Sequence, residues 1–355
     1  MKFKVVFLLA IIWFVVGACK KSVNVTTVIN PTTPPPTTGK PDTDVYISGS
    51  AANVQNLGAY WKNNTLTLLS RKFTTTAVAT QGTDVYLVGH YTSTTGGEVA
   101  GYWKNGSLIK LSDSSLYYYA TGIAIQGSDV YVCGFVSSNF GTGTKAMYWK
   151  NGVSINLTLP TGHGTPTVQT GSITVQGGDV YVAGTVTLPS YTAVYWKNGS
   201  PVTLPSTNDY GQAIAIAING TDVYVAGNTS SSSNPNISIS NTATYWKNGV
   251  VTQLASNGSD ALSIAIQNND VYIAGDTYNN TIHGSQATYW KNGIATVLPG
   301  GSLYWQAMGI ATNGTDVHIV GTSGDLGAVY WKNNKLTQLT STRSSGASGI
   351  SIAIH

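Results

Sequence analysis

Gln212-Ala-Ile-Ala-Ile-Ala-Ile218, Asn219-Gly220-Thr221, Asp222-Val-Tyr-Val-Ala-Gly227 and, after a gap, Ala243-Thr-Tyr-Trp-Lys-Asn-Gly-Val250 decide the fold of this chain. The first segment alternates small and branched residues, the period-2 pattern of a strand with two unlike faces. Asn-Gly-Thr is a tight turn, and the Asp222 segment returns as a second strand rich in Val and Tyr. Ala243–Lys247 reads as a third strand. Asn248-Gly249 is the strongest two-residue hairpin signal available, and it leads into a fourth strand over Val250–Leu254. Four strands in about 45 residues make one blade of a β-propeller.

The same unit recurs along the chain. Tyr-Trp-Lys-Asn begins at Tyr60, Tyr102, Tyr148, Tyr195, Tyr245, Tyr289 and Tyr330, with 41 to 50 residues from one tryptophan to the next. Asp-Val-Tyr precedes each copy, from Asp44, Asp84, Asp129, Asp179, Asp222 and Asp270, and is Asp316-Val-His in the last. A length of 355 residues alone suggests two domains, but repeats at this period close into one body. The first strand recurs as Thr76–Gln81, Thr121–Gln126, Gly171–Gln176, Ala261–Gln267 and Ala307–Asn313, then as Ser348–Ile354 at the C-terminus. The unit that starts at Asp44 has no such strand before it. The expected fold is therefore all-β, a seven-bladed β-propeller with four antiparallel strands per blade. Its ring is expected to close by pairing of the C-terminal strand with the first blade, which removes exposed sheet edges. Closure without that exchange is the alternative.

Residues repeated in every unit read as scaffold. The seven tryptophans are expected to fill the space between neighbouring blades. The aspartates are expected to bond local backbone at turns, and the lysines beside Asn-Gly to be solvated. His318 takes the place of a strand tyrosine, and Cys133 the place of small residues, so both read as structural. Charged residues make up only 9% of the chain, and Glu98 is its single glutamate. That sparse, balanced charge argues against a nucleic-acid partner. The histidines show no metal spacing, no Asp-x-Asp-x-Asp run occurs, and neither a phosphate-loop lysine nor a Ser or Cys nucleophile motif is present. No catalytic residue, metal or cofactor is expected.

The N-terminus carries an address. Lys2 and Lys4 precede an apolar run, Val5–Val16, too short to span a bilayer, which takes about 20 residues. Val16-Gly17-Ala18-Cys19 follows and resembles the lipobox of bacterial lipoproteins. The resemblance implies a signal peptide over residues 1–18 and lipidation of Cys19. It places the chain in the bacterial cell envelope, lipid-anchored at the outer membrane or cell surface. An ordinary signal peptide with a leftover cysteine is the alternative. Residues 19–43, rich in Pro and Thr, read as a tether, and residues 44–355 as the propeller. The repeats also resemble the bacterial extracellular repeats of the HAF type: Ile216-Ala-Ile-Asn-Gly, Val223-Tyr-Val-Ala-Gly and Thr244-Tyr-Trp-Lys-Asn-Gly stand where that pattern has its two strands and aromatic hairpin. This chain writes Tyr-Trp where the pattern has Phe-Leu-Trp. The resemblance implies a secreted propeller and transfers no catalytic residue.

Function is sought where the repeat breaks. The turns within each unit are short and uniform and share one face. The loops from second to third strand, and from fourth to the next first strand, vary and share the other. Near the axis on that face the sequence offers Phe73, Tyr119, Tyr210 and Trp305 as a ring that stacks on sugar faces, with Asp209, Asp260 and Arg343 as hydrogen-bonding groups. The expected function is a membrane-anchored extracytoplasmic binding module, monomeric, for a glycan or protein ligand at the loop-rich face. A structural or assembly protein of the envelope is the alternative. A glycan-acting hydrolase ranks third, since it requires two carboxylates within about 5–10 Å, for which Asp209 and Asp260 are the nearest pair in sequence.

Overall fold

The computed structural model describes residues 44–51, 57–138, 144–161, 167–188, 190–206, 210–230, 241–256, 258–301, 304–340 and 349–354. All belong to the unit of residues 43–355. Among them there is no helix, and every strand pairing but one is antiparallel. The unit around Trp246 shows the plan: Gly211–Asn219, Asp222–Ser230, Asn241–Lys247 and Val250–Gln253 lie side by side in chain order. The sets holding Trp196, Trp290 and Trp331 repeat this order. The sets holding Trp103 and Trp149 do too, and a single parallel bridge, Glu98 to Tyr117, joins them into one larger sheet. In the Trp61 set the first place is taken by Gly349–Ile354, which pairs antiparallel with Val45–Ala51. The first strands pack one against the next along the chain, and Gly349–Ile354 touches both Gln306–Asn313 and Thr74–Gln81.

Each tryptophan is buried, five of them with no measurable exposure. Burying one removes ~150–250 Å² of largely apolar surface from water, a gross gain of about 4–6 kcal/mol. Among the described residues, in four of the seven units the indole N–H reaches to the neighbouring unit, and the Trp103 and Trp290 nitrogens have no hydrogen-bond partner. Trp196 donates to the carbonyl of Thr158 (2.6 Å), Trp246 to Pro205 (2.7 Å) and Trp331 to Pro299 (2.8 Å), while Trp61 donates to Leu339 (3.1 Å). The core lies between sets rather than inside any one of them. One cluster, for example, gathers Val45, Ile47 and Trp61 from the first unit with Val320, Tyr330 and Leu339 from the last.

The repeated polar residues correct two expectations. The lysines are not simply solvated, and the aspartates do not bond backbone. Lys247 Nζ lies 2.8 Å from Asp222 Oδ2 and 5.1 Å above the Tyr224 ring. Asn248 donates from Nδ2 to Asp222 Oδ1 (2.7 Å) and accepts the Val223 N–H at Oδ1 (2.8 Å). All seven units carry this Asp–Lys pair at 2.7–2.9 Å. The physical reason is register: Tyr224 opposes Lys247 across the strands, so the hairpin delivers its lysine and asparagine to the aspartate at the start of the neighbouring strand. Asn248 sits at φ 49° and Gly249 at φ 81°, the left-handed pair that a type I′ turn demands. The Lys247 and Asn248 hydrogen bonds hold the Asp222 carboxyl below its usual range. These pairs are exposed and screened, so they fix hairpin register more than they add stability. His318, in the tyrosine slot of the last unit, is buried and bonds Tyr330 Oη through Nδ1 at 2.6 Å, in line with a structural role.

If the tryptophans join the sets, Trp246→Ala is expected to cost about 3–5 kcal/mol, with Trp246→Phe well below that. Urea unfolding followed by tyrosine fluorescence and circular dichroism checks both.

Candidate functional site

Every first strand carries a β-bulge, at Thr76, Thr121, Gly171–Ser172, Ile214, Leu262, Met308 and in Gly349–Ile354. Opposite it lies the glycine that ends the Val-Ala-Gly motif. A Cβ on Gly227 would collide with the carbonyl of Gln212, and one on Gly275 with that of Asp260. Only glycine admits this approach, which explains why the motif keeps it. Beyond the bulge the strands run on toward the loop face for a further pair of residues, and there the repeat stops. The equivalent cross-strand pairs are Thr74/His90, Tyr119/Phe135, Gln169/Thr185, Gln212/Asn228, Asp260/Asp276 and Gln306/Thr322. Only the Gln/Thr pair recurs. A uniform scaffold thus presents a non-uniform row at one register.

Neighbouring pairs are wired together. Asn228 donates from Nδ2 to Asp260 Oδ1 (2.7 Å), and its Oδ1 accepts the Ala261 N–H (2.9 Å). Asn241 adds a second bond to Asp260 Oδ1 at 2.6 Å. Gln306 donates to Asp276 Oδ2 (3.0 Å), and the Ser285 hydroxyl bonds the same carboxyl. Elsewhere the His90 ring meets Tyr119 edge-on at 4.9 Å, and Tyr119 stacks on Phe135 at 5.0 Å. Asp276 is 2% exposed. Burial, reinforced by the charge of Asp260, pushes its carboxyl up to about 7. Burial also raises Asp260, against the pull of Asn241 and Asn228. His90, deprived of water, falls to about 4 and is neutral near pH 7.

The sequence-derived candidates fare differently. Phe73 is 2% exposed and packs edge-on to Trp103 at 6.3 Å. Trp305 is 2% exposed, 6.0 Å from Trp331. Neither offers a face to a ligand: both plug the space between sets, the role expected of the repeated tryptophans. Tyr119 and Asp260 belong to strands that extend past the bulge, not to loops, and are partly exposed. Tyr210 sits beside Tyr191 (5.0 Å between rings) and close enough to Asp260 to sense its charge, its hydroxyl pushed up to about 12 chiefly by burial. Arg343, Asp209 and the lipidation candidate Cys19 lie outside the described residues. The partner of Asp260 is Asp276, directly across the strand pair, with Cβ atoms ~5 Å apart. The sequence held a signal for it, since Asp276 stands at the register where other units have His90, Thr185 and Asn228. A cavity of about 370 Å³ between the first strands is lined by Ile123, Ile173, Ile216, Ile264 and Ile310 with Ser172 and Ser263, and none of the sequence-derived aromatics lines it.

No protein-family model matches the chain, and no curated protein matches it in sequence. Among solved structures it is similar to an acylaminoacyl peptidase in complex with Z-Gly-Gly-Phe-chloromethyl ketone (TM-score 0.51, 12% identity, 86% of this chain and 51% of that one). It is also similar to the uncomplexed Pyrococcus horikoshii acylaminoacyl peptidase (0.51, 12%, 85% and 51%) and to its orthorhombic crystal form (0.51, 13%, 84% and 51%). The chain thus spans about half the length of these structures. At such identities the likeness is one of fold, and the fold is all-β and β-propeller-like.

The Asp276 shift has a stability consequence. Its folded value, about 7, lies above the ordinary 3.8, so the native state disfavours the charged form. Stability is full below about pH 4 and declines as pH rises toward 7, where the cost reaches as much as about 4 kcal/mol. Asp276→Asn is therefore expected to be near neutral in stability at pH 4 and stabilising at pH 8. Thermal melts of both proteins across that range give the test, and a larger gain at pH 4 would refute the assignment.

Proposed function

We propose that this chain is a lipid-anchored, extracytoplasmic binding module: a seven-bladed propeller, closed by its C-terminal strand, that takes a carbohydrate or protein ligand at its loop-bearing face. The observation that carries the reading is the row of largely unlike residues, with only the Gln/Thr pair recurring, held at one register by repeated scaffolding. A purely structural ring has no reason to vary that register while keeping the turn face constant. Closure is supported by three contacts between the ends of the chain. They are the pairing of Gly349–Ile354 with Val45–Ala51, the Trp61 bond to Leu339, and the core shared by the first and last units. The adjacent turns Gly220 and Gly314, bonded by Gln176 and Gln267 of the preceding sets, keep the turn ends on a common side.

The anchor reading rests on the lipobox resemblance at Cys19. Asp44, where the described chain begins, lies on the turn face beside Lys62. A tether entering there leaves the loop face free for a ligand. A hydrolase is the second reading, favoured by the Asp260/Asp276 pair and by the peptidase names of the structural neighbours. The pair fits it poorly. Asp276 is nearly inaccessible, and amides from Asn228, Asn241 and Gln306 occupy both carboxylates.

Two measurements test the proposal. Cys19→Ser is expected to move the protein from the membrane to the soluble fraction on cell fractionation. A glycan array followed by calorimetry is expected to give saturable binding that Tyr210→Ala weakens by about tenfold or more, a ΔΔG of roughly 1.4 kcal/mol. Lys247→Ala on the turn face is expected to leave that binding unchanged. Equal losses from both substitutions would point away from the loop face.

A further inference from the structure

Thirteen non-glycine residues among those described adopt positive φ, and eleven of them are asparagines in turns. The exceptions are His283 (φ 49°) and Tyr304 (φ 48°), both at the loop end of the seam between the Trp290 and Trp331 sets. Asparagine tolerates this region, whereas tyrosine does so at a cost. Tyr304 is 63% exposed, so its ring is not held there by burial. The strained backbone is held by its neighbour. Trp305 is buried, packs on Gly300 and Trp331, and donates its backbone N–H to the Ser285 carbonyl at 2.9 Å.

Ser285 is also the cross-strand partner of Tyr278, which is 45% exposed. Tyr278 and Tyr304 therefore flank one residue, each on a backbone about one strand spacing, ~5 Å, from it. Gly258, at φ +79°, clears room for Tyr278, since a Cβ there would press on the tyrosine's own Cβ at 2.7 Å. Two residues along from these tyrosines stand Asp276 and Gln306, bonded to each other. Among the described residues, the only other large apolar side chain this exposed at the loop ends is Leu116. The remaining ones sit on the fourth strands.

We propose that Tyr278 and Tyr304 form a stacking pair for a neutral saccharide, at the seam whose floor is the Asp276–Gln306 bond. This inference rests on the loop-face binding reading and gives it a ligand class and a location. Aromatic faces pair with the C–H faces of a pyranose. A protein ligand would call for a broader apolar patch than two tyrosines and a distant leucine present. The strain at Tyr304 is the cost of holding one ring outward in a fixed pose.

The test uses the full chain and a panel of neutral β-linked hexasaccharides of glucose, xylose and mannose, read by calorimetry. Tyr278→Ala and Tyr304→Gly are each expected to weaken binding by about tenfold or more, and Tyr304→Phe to preserve it within about threefold. Tyr304→Gly is further expected to keep or raise the melting temperature, because it relieves the backbone while removing the ring. Saturable saccharide binding that survives both substitutions overturns the stacking pair and leaves the loop-face reading standing. Binding of a polypeptide with no saccharide in the panel overturns the ligand class alone. A wild-type chain that binds neither overturns both. A melting temperature lowered by Tyr304→Gly overturns the strain argument.

Discussion

The rest of the structure depends on an indole wedged between two sheets, which in the Trp61, Trp196, Trp246 and Trp331 units also bonds its one polar atom to a carbonyl of the neighbouring unit. A four-stranded sheet of this size cannot bury both faces alone, so each unit needs its neighbours. Tryptophan supplies the volume to fill a widening gap, and its N–H supplies direction. That bond lets the carbonyl after the preceding fourth strand be buried without penalty. Because the same bond runs from Trp61 to Leu339, the device that joins consecutive units also joins the first to the last.

The hairpin unit of Asp, Tyr, Lys and Asn does a different job. Its charges are largely in water, and its energetic weight is small. Its effect is geometric. Asn248 satisfies the Val223 N–H left open where the second strand begins, and the Asp222 carboxylate gathers Asn248 and Lys247. A slip of one residue would part all four groups and turn the Val and Trp faces outward together. Register is thus specified twice, once by the core and once by the turn, on the face where variation is least tolerated.

Much of the fold was legible in the sequence because its causes are local and repeated: alternation, Asn-Gly turns, a motif-final glycine. The C-terminal strand was legible by subtraction, since the first unit lacks a strand that the last residues supply. The site was less so. Whether an aromatic is a plug or a platform depends on which way the strand faces beyond a bulge, and the bulge residue follows no single type: threonine at 76 and 121, Gly171–Ser172, and apolar at Ile214, Leu262 and Met308. Phe73 and Trp305 were therefore indistinguishable in sequence from Tyr278 and Tyr304. Asp276 was hidden for another reason. Its partner, Asp260, lies 16 residues away across a hairpin, while pairing arguments from loop order pointed to Asp209.

The bulge reconciles a rigid repeat with a variable surface. Below it, the side chains answer to the neighbouring unit, and a substitution in one unit must be matched in the next. At it, the extra residue absorbs the mismatch and the glycine opposite lets the backbones close. Above it, each pair answers mainly to its own neighbours: a carboxylate to an amide in one seam, a histidine to a tyrosine in another. Those seams still tie sheet to sheet, so the row is not free decoration. A change at Asp260 is felt at Asn228 in the preceding set, and one at Asp276 at Gln306 in the following one. Any ligand that engages one seam therefore acts on two sheets at once. On the binding reading proposed above, specificity follows from which seams are polar, which are aromatic, and where a strained backbone holds a ring in the open.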